Sequence, residues 1–577
     1  MASSGVSTSS WSKWQIALVV GAPVALGIGY WYLKQNASSI GQNKDSSSSS
    51  KSKQSSLLGT GDQTSIDTEG LDSVNSAKTL PENPLERALY HKDAGNQHFK
   101  AGKYDEAIKC YNEAIGVCPT DKRTDLATFY QNRAAAYEQL KLYKEVREDC
   151  TRALDLNPKY VKALQRRAKA CELTHDLQQS LEDVTAACIL EGFQNQSNLL
   201  TADRVLKELG RQHAKEAMAS RKAIMPSKQF IKTFFSSFIE DPIKNSMSDK
   251  NESDSAEADI RGFARAKQAF VVQDYDDIIP ACTDEINSES AEYKNEALVL
   301  RGTFHLLLGQ HDAAFKDFEA VINNPDANVK LRVNALIKRA SLHMQLEQPV
   351  KSLEDFNLAA QLDPNNSDVY HHRGQVHLLM EKMNEAMDDF NKAVTLNPNF
   401  PIAYVQKCYT DYRHAFQTRN MEKMEEVMNE FRRAVERFPT CSECHTLFAQ
   451  VLSDQQDYER ADQYYRKAIE VEPENATLYV HRGLLQLQST GDINKAIELI
   501  SKALKMDDRC EFAYETLGTI EVQRGNLKRA VELFDKAIPL AKTEIEMSHL
   551  FSLRDAAIAQ ATVAERMGIS IASGNQN

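Results

Sequence analysis

Glycine (23) and proline (16) are scarce for 577 residues, which excludes collagen-like and Pro/Gly-rich low-complexity chains and leaves few helix breakers. Cysteine is sparse as well, ten residues with none before Cys110. A disulfide framework is therefore excluded, and scattered reduced thiols facing a cytosol are expected. No long basic run occurs and the net charge is −12, which argues against a nucleic-acid binder. The chain also lacks a P-loop, a G-x-G-x-x-G, a nucleophile elbow and an H-E-x-x-H, so neither catalysis nor a cofactor is expected. What it does have is a hydrophobic fraction of 42% with 26% charged residues, enough core for several domains or one extended array.

One long uncharged run stands near the start. After a tail at 1–13, residues 14–33 read WQIALVVGAPVALGIGYWYL. A helix of that length spans about 30 Å, the thickness of a bilayer's hydrocarbon core. Trp11 and Trp14 at one end, with Tyr30, Trp31 and Tyr32 at the other, suit the two interfaces. The run is longer than a signal-peptide core and bulky aromatics stand where a cleavage site would need small residues, so a retained single-pass anchor is predicted. Only Lys13 precedes it, whereas Lys34, Lys44, Lys51 and Lys53 follow; the positive-inside rule puts nearly the whole chain in the cytosol. Ala17, Gly21, Ala25 and Gly29 fall four apart, a spacing that allows two spans to pair as a homodimer but is common in single spans too. Residues 34–83 carry thirteen serines in fifty positions and read as a disordered tether.

The remainder repeats. Ala340, Gly374, Cys408, Ala449, Gly483 and Gly518 recur with a period near 34, interrupted once by 41; Pro364, Pro398, Pro439 and Pro473 follow the same steps. That period with small, aromatic, small and Pro marks is the tetratricopeptide pattern, a helix–turn–helix unit in which small residues let helices A and B cross closely. The fold predicted is all-α, a superhelical solenoid of about eleven repeats. Three fall in 84–192 and eight in 259–545, with a connecting helix (201–225) and a solvated acidic loop (240–259) between them, inside 193–258, and a capping helix and tail at 546–577. One motif is set aside: Cys441–Ser442–Glu443–Cys444–His445 spells the C-x-x-C-H haem signature, but it opens a helix A with no second cysteine pair nearby, so neither haem nor metal is assigned.

In such arrays certain helix A positions face a concave groove. Lys92 and Asn96 lie four apart in the first helix A, Asn132 in the second, and Lys162 and Arg166 four apart in the third. Two ammonium groups, a guanidinium and two amides suit a terminal dicarboxylate. The set K-x-x-x-N, N-R and K-x-x-x-R resembles the dicarboxylate clamp of chaperone-adaptor tetratricopeptide domains. That resemblance implies docking of cytosolic heat-shock chaperones whose tails end Glu-Glu-Val-Asp.

Span, tether, clamp and long array together, with the segments YETLGTIEVQRGN (514–526) and ATLYVHRGLLQLQ (476–488), resemble the tetratricopeptide import receptors of the mitochondrial outer-membrane translocase, of the animal type. The resemblance covers about residues 10–567. It implies that the first repeats dock chaperones, that the later repeats bind mitochondrial preproteins, hydrophobic carrier-type ones included, and that clients pass to the channel through other translocase subunits. Counting from each small residue, His371, His372, Gln375, Glu443, Gln450, Asp454, His481 and Glu515 are expected to line the later groove; Arg373 and Arg482 are expected to pack structurally. Hydropathy cannot name a bilayer, so an anchor in another organelle stays open, as does a targeting or scaffold subunit of an enzyme complex.

Overall fold

The computed structural model describes residues 81–247 and 261–569; the span read at 14–33 and nearly all of the tether lie outside them. Among the described residues no strand occurs, and no helix is long and apolar enough to cross a membrane. Two compact units divide the chain. One runs up to Val205 and includes Thr562–Ile569, and the other is formed by Leu206–Ala561.

The first unit holds three helix pairs, α1 (Pro84–Lys100) with α2 (Tyr104–Val117), α3 (Arg123–Gln139) with α4 (Tyr143–Leu156), and α5 (Val161–Leu173) with α6 (Leu177–Leu190). Then come α7 (Gln196–Ser220) and two short helices, α8 (Lys228–Ser236) and α9 (Pro242–Met247). Eight pairs follow: α10 (Gly262–Val272) with α11 (Ile278–Asn287), α12 (Lys294–Leu307) with α13 (His311–Ile322), α14 (Val329–Gln345) with α15 (Pro349–Leu362), and α16 (Ser367–Leu379) with α17 (Met383–Leu396). The last four are α18 (Pro401–Gln417) with α19 (Met421–Arg437), α20 (Ser442–Asp454) with α21 (Tyr458–Val471), α22 (Ala476–Thr490) with α23 (Ile493–Met506), and α24 (Glu511–Gln523) with α25 (Leu527–Ala537). The long helix α26 (Glu544–Met567) ends the array. The 41-residue step is α18 and α19, both lengthened to 17 residues.

Two spacings of sixteen residues build the pairs. A small residue on helix A lies under an aromatic ring on helix B: a Cβ on Gly95 would stand 2.6 Å from Tyr111, one on Gly302 2.9 Å from Phe318, and one on Gly518 2.7 Å from Phe534. The second spacing is charged. Arg133, Arg167, Arg301, Arg339 and Arg373 each grip Asp149, Asp183, Asp317, Asp355 and Asp389 with Nε and Nη2 at 2.6–2.9 Å. Bidentate geometry on nearly buried carboxylates makes each a strong contact between A and B. Every A-to-B turn also places one residue in the left-handed region, glycine at 102, 309, 491 and 525 but Lys141, His175, Gln273, Glu347, Glu381, Arg419 and Gln456 elsewhere. The turn closes with bonds such as Leu142 N–H to Tyr137 C=O at 3.0 Å, the Schellman pattern.

In the second unit α7 packs tightly on α26: Ser552 Oγ donates to the Leu206 carbonyl at 3.0 Å, and a Cβ on Gly210 would meet the Ser548 carbonyl at 2.5 Å. The segment after α7 departs from expectation. Residues 240–247 belong to no solvated loop; with α8 and α9 they are packed into the repeats. Ile231, Phe234, Phe235, Phe238 and Ile243 are buried in one core with Phe263, Leu298, Phe304 and Leu336. The acidic composition of 240–259 concealed this, because its first carboxylates have buried partners. Asp241 is fully buried and meets Lys338, 1% exposed, at 2.9 Å; its other oxygen caps α9, accepting from Ile243 and Lys244 N–H at 2.8 and 3.1 Å. Asp368 accepts from the Ile239 and Glu240 N–H groups at 3.0 and 2.9 Å, and Glu240 accepts from Ser367 N–H and Oγ at 2.8 and 2.7 Å.

Candidate functional site

The residues of the expected clamp lie on α1, α3 and α5 of the first unit, and three of them are locked by neighbours. Asn96 Oδ1 accepts from the Tyr111 hydroxyl at 2.9 Å and from Asn132 Nδ2 at 3.3 Å. With its oxygen occupied twice, Asn96 has its own amide NH2 left to donate. Arg166 Nε donates to Glu138 Oε2 at 2.8 Å, and Lys169 reaches Glu138 Oε1 at 2.8 Å. Burial works against ionising Glu138, but the Lys169 and Arg166 contacts outweigh it and hold its carboxyl below the usual range. Arg166 Nη1 is buried and has no acceptor. Lys92 meets Asp93 at 2.6 Å, an exposed carboxylate whose hold is screened. Lys162 is exposed, one turn before Arg166. The arrangement is cationic, partly desolvated and short of an acceptor, so what it can take is a carboxylate.

The later groove is different chemistry. His371, His372 and Gln375 are buried, not open: Phe238 covers His372 at 4.3 Å between ring centroids, and Gln375 is hydrogen-bonded to His372, His371 and Gln406. Burial pushes both histidines down, His372 to about 4. Phe238 of the inserted segment closes over His372, His371 packs on Phe390 and Phe400, and all three are buried, so they offer no surface to a client. Helical counting placed them on the groove side but could not see what occupies it.

Further along, Glu443, Asp454, His481 and Glu515 remain partly accessible. Burial pushes Glu443 up to about 7, with Glu472 adding to it, and its Oε1 is buried without a partner. Burial likewise pushes Asp454 up to about 7 against the Arg413 charge and Gln450. Gln450 is buried and accepts from the Tyr465 hydroxyl at 3.3 Å. His481 stacks on Tyr465 at 6.1 Å and is pushed by burial to about 4. Glu515 meets His549 Nε2 at 3.2 Å. Tyr409 and Tyr412 beside them are buried in the hydrophobic core; burial raises the carboxyl of Glu511, with Glu546 adding to it. Arg373 and Arg482 pack structurally, Arg482 on Asp462 at 2.6 Å. Among the described residues no grouping of His, Cys, Asp and Glu could hold a metal ion.

Among the described residues, eleven helix pairs, three in the first unit and eight in the second, define a helical-repeat protein. Models of the tetratricopeptide repeat match residues 127–160, 367–400, 446–509 and 487–544, and one described as TPR repeat matches 95–141. The chain is 48% identical to the mitochondrial import receptor subunit TOM70 of Rattus norvegicus, over 98% of this chain and 94% of that one. It is 49% identical to the Homo sapiens protein of the same name, over 96% and 93%. The crystal structure of yeast Tom70 is 26% identical, covering 83% of this chain and 99% of its own, with a TM-score of 0.46. The chain belongs to the TOM70 family of mitochondrial import receptor subunits, and it is a receptor, not an enzyme.

Proposed function

We propose that this receptor is anchored in the mitochondrial outer membrane by the span at 14–33, with its short N-terminal tail toward the intermembrane space and its repeats in the cytosol. The first unit docks heat-shock chaperones by their Glu-Glu-Val-Asp tails through Lys92, Asn96, Asn132, Lys162 and Arg166. The second unit takes preproteins, hydrophobic carrier-type clients included, along Glu443, Gln450, Asp454, His481 and Glu515, and passes them to other translocase subunits. The observation that supports this reading best is Arg166, whose Nε is held by Glu138 while its buried Nη1 lacks an acceptor. A terminal carboxylate supplies that acceptor.

Calorimetry with a peptide ending in Glu-Glu-Val-Asp tests it. Arg166→Ala removes a charge-assisted donor from a partly desolvated groove, a loss of about 2–5 kcal/mol or roughly thirty-fold or more in affinity. The helical fold survives, since Arg166 lies outside the A–B contact made by Arg167 and Asp183. Equal binding by the variant, or by a peptide whose C-terminus is amidated, rejects the clamp.

A further inference from the structure

Ten cysteines are unpaired, and only Cys110 and Cys441 escape full burial. Cys110 has no cysteine contact of its own, whereas Cys441 has a partner. It is the N-cap of α20, in extended geometry (φ −96°, ψ 104°), and makes no capping hydrogen bond through its side chain. An N-cap side chain characteristically lies over the second and third residues of its helix. The third residue of α20 is Cys444, fully buried. The Cys444 Sγ donates to the Pro401 carbonyl at 3.8 Å; the neighbouring Cys441 thiol first, and burial second, push the Cys444 thiol up. One thiol is thus reachable from solvent at a helix N-terminus, and a second waits behind it in the core. Dithiol oxidoreductases arrange their C-x-x-C pairs in the same way, with an accessible attacking thiol and a buried resolving one. A three-residue helical offset also falls in the Cα separation that a disulfide bridges, about 4.4–6.8 Å.

We propose that Cys441 and Cys444 form a peroxide-sensitive dithiol, a modification site in the receptor's client-binding unit. The Cys441 sulfur, as thiolate, attacks one oxygen of hydrogen peroxide; the O–O bond breaks and the other oxygen leaves as hydroxide, which takes a proton to become water. Cys441 is then a sulfenic acid. The Cys444 sulfur attacks the Cys441 sulfur, the S–O bond breaks, and the departing hydroxide takes the Cys444 proton as a second water. Two thiols and one peroxide yield one disulfide and two waters. A thiol reductant restores both thiols. The bond clips the first turn of α20, the turn that carries Glu443.

Trypsin releases both cysteines in one peptide, residues 438–460, so the test is mass spectrometry of the full-length receptor after peroxide treatment and thiol alkylation. The expected product is that peptide two hydrogens lighter, refractory to alkylation, and alkylated at both positions after dithiothreitol. Cys444→Ser leaves the sulfenic acid unresolved, so Cys441 then takes a dimedone label, while Cys441→Ser abolishes both disulfide and label. Complete alkylation of Cys441 and Cys444 after peroxide overturns the proposal. So does a bond from Cys444 to Cys408, which lies in the same core, or sulfinic acid at Cys441 beside a free Cys444.

Discussion

Asp241 and Lys338 offer the sharpest test of how the second unit is held together. The carboxylate is fully buried and the ammonium nearly so, 2.9 Å apart, with the Phe235 and Phe238 rings 5.4 and 5.3 Å from the nitrogen. Breaking such a pair by removing one member costs about 3–5 kcal/mol, because the other is left as an uncompensated buried charge. Asp241→Asn keeps an oxygen to cap α9 and removes only the charge. The stranded lysine can escape by losing its proton, which from an ordinary value near 10.4 costs about 1.4 kcal/mol per pH unit, or about 4–5 kcal/mol at pH 7. That route caps the penalty and gives it a sign: the folded variant binds fewer protons than the unfolded chain, so its deficit shrinks as pH rises from 7 to 9. Lys338→Met strands the carboxylate instead, and its deficit grows with pH. Burial opposes ionisation of Asp241, yet the Lys338 charge and hydrogen bonds hold its pKa below normal; the wild-type contribution is therefore present at neutral pH and lost as pH falls through the acid range. Amide hydrogen exchange over residues 230–247 reads the cost where the segment opens. The double variant Asp241→Asn/Lys338→Met should recover most of the loss, since an apolar replacement of the whole pair is often neutral. Single-variant deficits below about 1 kcal/mol, or a double variant no better than either single, would refute the argument.

Other expectations follow from the same structure. Asp454 and Glu443 are pushed up to about 7, chiefly by burial, so the folded state holds their protons and their contribution to stability is lost as pH rises from about 4 through 7. Asp454→Asn and Glu443→Gln should leave melting at pH 5 nearly unchanged and raise it at pH 8 by an amount on the order of 1 kcal/mol; a deficit at pH 8 counts against burial as the cause. Two glycines of the first unit should respond oppositely to alanine. Gly95→Ala drives a Cβ into the Tyr111 ring at 2.6 Å and should cost about 1–3 kcal/mol in denaturant midpoint, weakening the carboxylate clamp through the Tyr111–Asn96 hydrogen bond. Gly116, on α2 with open space where a Cβ would go, should gain about 0.5–1 kcal/mol as alanine. Equal effects of the two substitutions would show that the sixteen-residue glycine–aromatic contact carries no weight.

The array was legible because its signals are local. A helix pair needs a small residue under a ring, and Gly374 with Phe390 or Gly518 with Phe534 carry that need in plain sequence. The sixteen-residue Arg–Asp spacing was equally readable, and five repeats share it. What sequence could not show is contact across about a hundred residues. Ile231, Phe234, Phe235 and Phe238 make an apolar stripe, but its partner lies on α14 and α16, and its acidic continuation gives Asp241 the look of a solvated residue. Glu138, 28 residues from Arg166, was missed as its internal partner because a glutamate late in a helix A resembles any surface charge. His371 and His372 were expected to line a groove, yet both are buried, and the Phe238 ring that covers His372 comes from a remote segment.

The two concave faces differ because the core does not constrain them. Helices A and B are joined by glycine–aromatic contacts and by Arg–Asp pairs sixteen residues apart, as in Arg167–Asp183 and Arg373–Asp389, while the candidate site residues are other side chains of helix A. One repeat can therefore present Lys92 and Asn96, and another Glu443 or Asp454, on the same A–B framework. In the first unit Arg166 Nε is held by Glu138 while its buried Nη1 lacks an acceptor. In the second, Glu443 and Asp454 sit near the pH of half-ionisation with little cationic support, so a donor arriving on a client both satisfies the orphaned Glu443 oxygen and favours its ionisation. On the proposed function, the first unit would be completed by an acidic terminus and the second by a basic or hydrogen-bond-donating segment, the kind of group each lacks.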